Sequence, residues 1–355
     1  ASKRSLLLTL GVSEVIDSRR GDFAERILEL TDRRGVDVVL NALASEAIPM
    51  GLSCLAEFGR FIEIGKRDIY QNSRLPLWHL RRNASFHVVA MDVRGHGGST
   101  WTPGAYDFPT MGADAAELLK KVAEAPAIVS GNSSGGLIAL WLAANRPELV
   151  AGIVMEDAPV FSAEWPRLRD DCYVYQVFEQ VSRSLAGPGK RDLAGFFAGL
   201  KVPVEHGQRL WALPRWVMAP LGWLAGIHET IRPGKPVDIA LLPPTMRLLV
   251  RSLTAYDPQF SVAFLDGSAC RDFSHADALR RTHCPAMFLH ADWFRVGGDG
   301  ILVGSVDDED VARMRELVPG LRYTRLHSGH MIHFYSPGSY VREIRAFVAG
   351  ITAAS

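Results

Sequence analysis

Pro126-Ala127-Ile128-Val129-Ser130-Gly131-Asn132-Ser133-Ser134-Gly135-Gly136 passes from an apolar, β-branched stretch through a turn of small residues. Leu137 to Ala144 follows as a continuous apolar run. The pattern predicts a strand over Pro126 to Ser130, a sharp turn, and a helix over Leu137 to Ala144. The turn fits G-x-S-x-G with Ser133 at its centre. A serine on such a strained strand-to-helix turn projects its Oγ free, and glycines two residues to either side let the backbones pack closely. The start of the next helix adds a positive backbone dipole, so the Ser134 N–H is the expected first donor to an oxyanion. Ser134 is the competing hydroxyl, but its frame needs glycine at position 132, where Asn132 stands. Gly-Ser turns are common loops, so the strand–turn–helix context carries the reading rather than the pentapeptide.

Outward from this turn the chain alternates strands and helices. Upstream, strands are expected over Glu14 to Asp17, Val36 to Leu40, Arg60 to Ile64 and Val88 to Met91. Helices are expected over Asp22 to Leu30, Glu46 to Ala56 and Ala113 to Ala123. Downstream come a strand over Gly152 to Met155, then Ala286 to Leu289, a helix over Glu309 to Leu317, a strand over Arg322 to Leu326, and a last helix over Tyr340 to Val348. Residues 160–282 break the rhythm and read as helical, rich in Trp and Pro, with no obvious strand. The βαβ alternation predicts an α/β fold with a mostly parallel sheet and covering helices.

Four segments carry a resemblance. Asp92-Val93-Arg94-Gly95-His96-Gly97, the Ser133 turn, Glu156-Asp157-Ala158-Pro159 and Gly329-His330 together resemble the α/β-hydrolase superfamily over roughly the last three quarters of the chain. The resemblance implies a hydrolase core over 87–159 and 283–355, with 160–282 as a helical cap. It implies acyl hydrolysis with Ser133 as nucleophile and the residue order Ser, acid, His. A serine needs a base to take its proton, and His330, after the strand ending at Leu326, holds the expected place. His327 and His333 are its neighbours and competitors. The acid stays open. The commonest position is taken by Phe294, with Asp292 close but out of register; Asp157 lies one strand earlier and leads. Asp299 and the run Asp307 to Asp310 are further options, although that run reads as a helix start, where carboxylates are favoured. Within the cap, Trp211, Trp216, Met218 and Trp223 could line a hydrophobic acyl pocket or pack the cap on the sheet.

The opening segment resembles another family. Leu10 to Arg19, Arg34 to Leu43, Gly59 to Tyr70 and Arg81 to Phe86 are similar to the enoyl-reductase domain of modular polyketide synthases, over about residues 1–92. The match covers the later part of that family's Rossmann-like dinucleotide-binding domain. No G-x-G-x-x-G stands at a strand–helix junction here, so hydride transfer is not expected. His87 to Asp92 can serve either family, which suggests that the reductase-like strands complete one hydrolase-like sheet. In that arrangement the second oxyanion donor would come from the loop Gly65-Lys66-Arg67, with Lys66 or Arg67 supplying the N–H.

Bulk properties bound the rest. Lys+Arg and Asp+Glu are both 39, so the formal net charge is zero. That favours neither nucleic acid nor an anionic membrane as partner, although net charge says nothing about local patches. Cys54, Cys172, Cys270 and Cys284 show no CxxC spacing, so no metal site is expected and reduced thiols in a cytoplasmic setting are. No signal-peptide pattern is read at the start, and no apolar stretch reaches the roughly 20 residues of a membrane span. The expected function is a cofactor-free serine esterase acting on a small or medium hydrophobic ester. The alternatives are a non-catalytic or weakly active hydrolase-like fold and an NADPH-binding reductase fragment. Oligomeric state is not legible.

Overall fold

The computed structural model describes residues 12–18, 21–41, 47–63, 85–87, 91–123, 126–186, 191–204, 208–212, 214–232, 235–298 and 300–354. The chain divides into two compact units, residues 1–90 and 91–355.

In the first unit, α1 (Phe23–Leu30), β1 (Val36–Asn41), α2 (Ala47–Ser53), β2 (Leu55–Glu63) and β3 (Ser85–His87) follow one another. The strands form a three-stranded parallel sheet in the order β1-β2-β3. Ile48, Leu52, Leu55 and Phe61 make its small core. Two expectations need correction. The helix expected to reach Ala56 stops at Ser53, because Leu55 already pairs with Val36. Glu14 to Asp17 form no strand; a strand needs a neighbour for its backbone groups, and no described strand pairs with it.

The second unit opens on the loop from Asp92 to Ser99. Gly98 N–H donates to the Asp92 carboxylate at 2.9 Å. Gly97 has φ +53, and a Cβ there would fall 2.2 Å from Asp92 Oδ2, so only glycine closes this turn. His96 stacks on Tyr256 (5.3 Å) and meets Phe260 edge-on (4.6 Å); burial pushes its pKa below the ordinary value. The Asp-Val-Arg-Gly-His-Gly segment therefore docks onto residues 255–260.

Next come α3 (Phe108–Val122), β4 (Ala127–Asn132), α4 (Ser134–Asn145) and β5 (Val150–Glu156). α3 begins five residues before the expected Ala113, since Asp107 caps it by accepting from Thr110 N–H at 2.8 Å and Pro109 suits a first turn. α4 is apolar all round, with Leu137, Ile138, Leu140 and Leu142 buried, as a helix enclosed in the core must be.

The stretch 160–282 folds largely as helices: α5 (Tyr173–Leu185), α6 (Leu193–Gly199), then, after a hairpin, α7 (Arg215–Ile231), α8 (Pro244–Thr254), α9 (Gln259–Leu265) and α10 (His275–Arg280). The hairpin, β6 (Lys201–Val204) with β7 (Arg209–Ala212), is antiparallel and was not expected in this region. Its alternation is short and its outward faces are exposed, so period-two patterning is weak. Phe196, Phe197, Leu221, Val237 and Val250 form a core belonging to these helices.

The chain then returns through β8 (Ala286–His290), α11 (Asp308–Leu317), β9 (Arg322–Arg325), α12 (Ile332–Tyr335) and α13 (Pro337–Ala354). The second sheet has four parallel strands in the order β9-β8-β5-β4. The strand expected to join the two sheets, Val88 to Met91, falls mostly outside the described residues.

Candidate active site

The turn after β4 is built by close backbone approach. A Cβ on Gly131 would lie 2.1 Å from the Gly135 carbonyl carbon, so the strand end and the helix start touch only because residue 131 is glycine. On the helix side the crowded position is Gly136, whose Cβ would meet that of Ala158 at 2.6 Å, whereas Gly135 faces open space. The motif's second glycine is thus not the one that packing requires. Ser133 sits between them at φ 54, ψ −123, a conformation that costs an L-residue about 1–3 kcal/mol and is held by its surroundings. Its N–H donates to the Glu156 carbonyl and its own carbonyl accepts from Gly136 N–H, both at 2.9 Å. Ser134 is the first residue of α4, so its N–H belongs to the turn whose donors lack intrahelical acceptors.

β5 ends at Glu156, Asp157 follows it directly, and both residues are buried at 2% exposure. Asp157 turns out of the strand at φ 43, with its N–H donating to the Leu289 carbonyl of β8 at 2.7 Å. Its Oδ1 accepts from Ala291 N–H at 3.1 Å. Its Oδ2 accepts from His330 Nδ1 at 2.7 Å and from the Ser305 hydroxyl at 3.0 Å. The Ser305 oxygen also lies 3.1 Å from the same Nδ1. A proton on Nδ1 leaves Nε2 as the basic nitrogen. The structure thus brings Asp157, and not Asp292, to His330. Asp292 accepts instead from His327 Nδ1 at 3.1 Å, with that imidazole 94% exposed. Within the run Asp307 to Asp310, Asp307 caps α11 with Asp310, and Arg295 pairs with Asp307 at 2.8 Å. Asp299 is outside the described residues.

The serine turn and the histidine loop are tied together by Asn132. Its amide donates to the His330 carbonyl at 2.9 Å and to the Glu156 carbonyl at 3.2 Å. Beside it, Glu156 receives both the backbone N–H of His333 and its ring Nδ1 at 2.8 Å, which anchors α12 and the loop before it. One hydrogen bond from the far side holds the loop after Asp157: Phe161 N–H donates to His275 Nδ1 at 2.8 Å. Complete burial pushes the His275 pKa from 6.5 down to about 3, so this imidazole is a neutral acceptor.

Ser305, Asn132 and His275 were not singled out by sequence reading. Ser305 arrives through a two-residue antiparallel pairing of Phe294–Arg295 with Leu302–Val303, too short to leave a periodic signal. Asn132 occupies a variable place in the serine motif, and its partner is 198 residues away. The expected cap residues are also corrected: Trp211, Trp216 and Trp223 are 61%, 78% and 67% exposed, and side chains that exposed wall no enclosed pocket. Gly65, Lys66 and Arg67, expected at the oxyanion, lie outside the described residues.

Residues 77–216 match the family model described as alpha/beta hydrolase fold, and residues 1–101 that described as zinc-binding dehydrogenase. Among the described residues no three His, Cys, Asp or Glu side chains come together to hold a metal ion, so they do not offer a zinc-ligand set. Over 92 residues the chain is 56% identical to a phenolphthiocerol/phthiocerol polyketide synthase of Mycobacterium tuberculosis. That match covers 26% of this chain and 4% of the length of that relative. Among solved structures, the nucleotide-binding subdomain of the enoylreductase domain of PpsC from Mycobacterium tuberculosis is 57% identical, over 26% of this chain and 51% of that one, with a TM-score of 0.24. A hydrolase from Pseudomonas aeruginosa PA01 is 20% identical, over 74% of this chain and 80% of that one, with a TM-score of 0.49. The chain therefore joins a segment similar to polyketide-synthase enoyl reductases to an α/β-hydrolase fold.

Proposed function

We propose that the second unit is a serine hydrolase that cleaves a carboxylic ester of small or medium hydrophobic character through an acyl-enzyme. The observation that supports it most is convergence: a serine in a strained turn, and a histidine tied to that turn through Asn132 and paired with a buried carboxylate. In this reading Ser133 Oγ attacks the ester carbonyl and passes its proton to His330 Nε2. The Ser134 N–H stabilises the negative charge that develops on the carbonyl oxygen. The ester C–O bond breaks as the alcohol leaves with the proton from His330. Water then attacks the acyl carbon and gives a proton to His330; the bond from that carbon to Ser133 Oγ breaks, His330 returns the proton to Oγ, and the acid is released. Asp157 holds the imidazole tautomer and stabilises its transient charge, while Ser305 steadies Asp157.

A burst assay with p-nitrophenyl butyrate on the full chain and on Ser133→Ala tests the reading. A release of nitrophenol near one equivalent, absent in the variant, is expected. Equal turnover by both proteins would mean that another group carries any activity.

A further inference from the structure

α7 presents apolar residues on two opposite faces. One face packs inward: Leu221 and Ala225 are buried, and Met218 and Leu224 pack partly against the same core. The other carries Trp216, Pro220, Trp223, Ile227 and Ile231, whose spacing sets them in one stripe along the helix. All five are exposed, Ile231 by 71%. A helix apolar all round is normally enclosed. A continuous stripe of two indoles and two isoleucines in water is an interaction surface rather than scattered apolar residues.

At the C-terminal end of the same helix lies a pocket of about 560 Å³, lined by His228, Arg232, Lys235, Pro236, Asp238 and Arg251. Its single acid is already engaged, because Arg247 donates to both carboxylate oxygens of Asp238, one at 2.9 Å. No carboxylate pairs with Arg232 or Lys235 among the described residues. His228 Nδ1 is buried without a hydrogen-bond partner there. The far wall is anchored: Val237 is fully buried and its N–H donates to the Thr254 hydroxyl at 2.8 Å. The formal charge balance of the whole chain conceals this local concentration of cations.

We infer that this face of the cap binds a lipid surface bearing anionic phosphate headgroups. The indoles and isoleucines enter the boundary between headgroups and acyl chains, and the pocket takes a phosphate. No helix of the described residues is long and apolar enough to cross a membrane, so the contact is interfacial. A second copy of the chain is the weaker occupant. Glu229 is the one acid that α7 carries, so self-pairing along the stripe offers Arg232, Lys235 and Arg251 almost no opposite charge. This lipid contact does not depend on the chemistry at Ser133.

Sedimentation of the full chain with vesicles tests it, using phosphatidylcholine alone and phosphatidylcholine doped with phosphatidic acid. Binding to the doped vesicles, with tryptophan emission shifted to the blue, is expected. Arg232→Ala with Lys235→Ala should weaken that binding about 30-fold, from the loss of two surface cations. Trp216→Ser with Trp223→Ser should remove the blue shift. Arg232→Gln with Lys235→Gln serves as the second pair if the alanine variant melts early. Failure to bind either vesicle overturns the inference, as does equal binding by the charge variants. Saturable binding of inorganic phosphate without vesicle binding would assign the pocket to a free phosphate ester instead. A concentration-dependent dimer lost in the tryptophan variant would give the stripe to a second copy.

Discussion

Among the carboxylate–imidazole pairs of the second unit, Asp157 with His330 and Asp292 with His327 differ in everything except chemistry. Asp157 is 2% exposed and receives His330 Nδ1–H, the Ser305 hydroxyl and Ala291 N–H. Asp292 receives His327, which is almost wholly in solvent. The enclosed carboxylate has its lone pairs fixed by three donors, so it can hold one ring tautomer in one orientation. The exposed pair gains little, because water screens its attraction and both side chains lose rotamer freedom. Proximity of an acid to a histidine therefore does not by itself fix the ring, whereas fixed donors converging on a buried acid do.

The sharpest way to break this comparison is to neutralise each acid. Asp157→Asn is expected to lower kcat on the ester by about 10,000-fold, as loss of the tautomer-holding acid does in a serine triad. Asp292→Asn should stay within about twofold of the parent. Comparable losses in both variants, measured by steady-state kinetics, would erase the distinction between the enclosed and the exposed pair.

A second test uses a fully buried histidine whose Nδ1 accepts from Phe161 N–H, with the Glu164 carboxylate 3.9 Å from that nitrogen. The folded-state pKa of His275 is about 3, against 6.5 when free, because of burial. Below about pH 6.5 the unfolded chain takes a proton on this residue while the folded chain does not, so stability falls as pH drops toward 3. By pH 4 the loss from this one group is about 3 kcal/mol. His275→Gln keeps an acceptor for Phe161 N–H and cannot titrate. Urea midpoints for the variant should therefore vary less between pH 7 and 4 than those of the parent. An identical slope would show that the burial assigned to His275 is wrong.

The smallest effect probes the donor set itself. Ser305→Ala removes one hydrogen bond to a charged acceptor, and kcat is expected to fall about tenfold with KM unchanged. A rise in KM at constant kcat would make Ser305 a structural or binding residue and weaken the case that convergence on Asp157 matters.

Much of the frame was legible in sequence because it is written in local pattern. The β-branched run before Gly131 and the apolar run after Gly136 each fix an element through its own periodicity, and the glycine at 131 marks a contact that its own missing side chain permits. Asp157 was within reach for the same reason, since it follows a buried strand directly. The cap helices were legible as helices. Their hairpin was not, because its alternation is short and half-exposed.

What sequence alone determined is therefore the order of most strands and helices, the serine turn, and the short set of acids and histidines near strand ends. Tertiary structure alone decided which acid meets which histidine. Asp157 and His330 are 173 residues apart, and their meeting depends on β5 pairing with β8 and on the loop after β9 returning to the turn after β4. The same holds for Ser305 and Asn132, whose partners come from other elements. It holds too for the apolar stripe of α7: composition counts its tryptophans, but only packing shows which face of the helix the core covers and which it leaves to solvent.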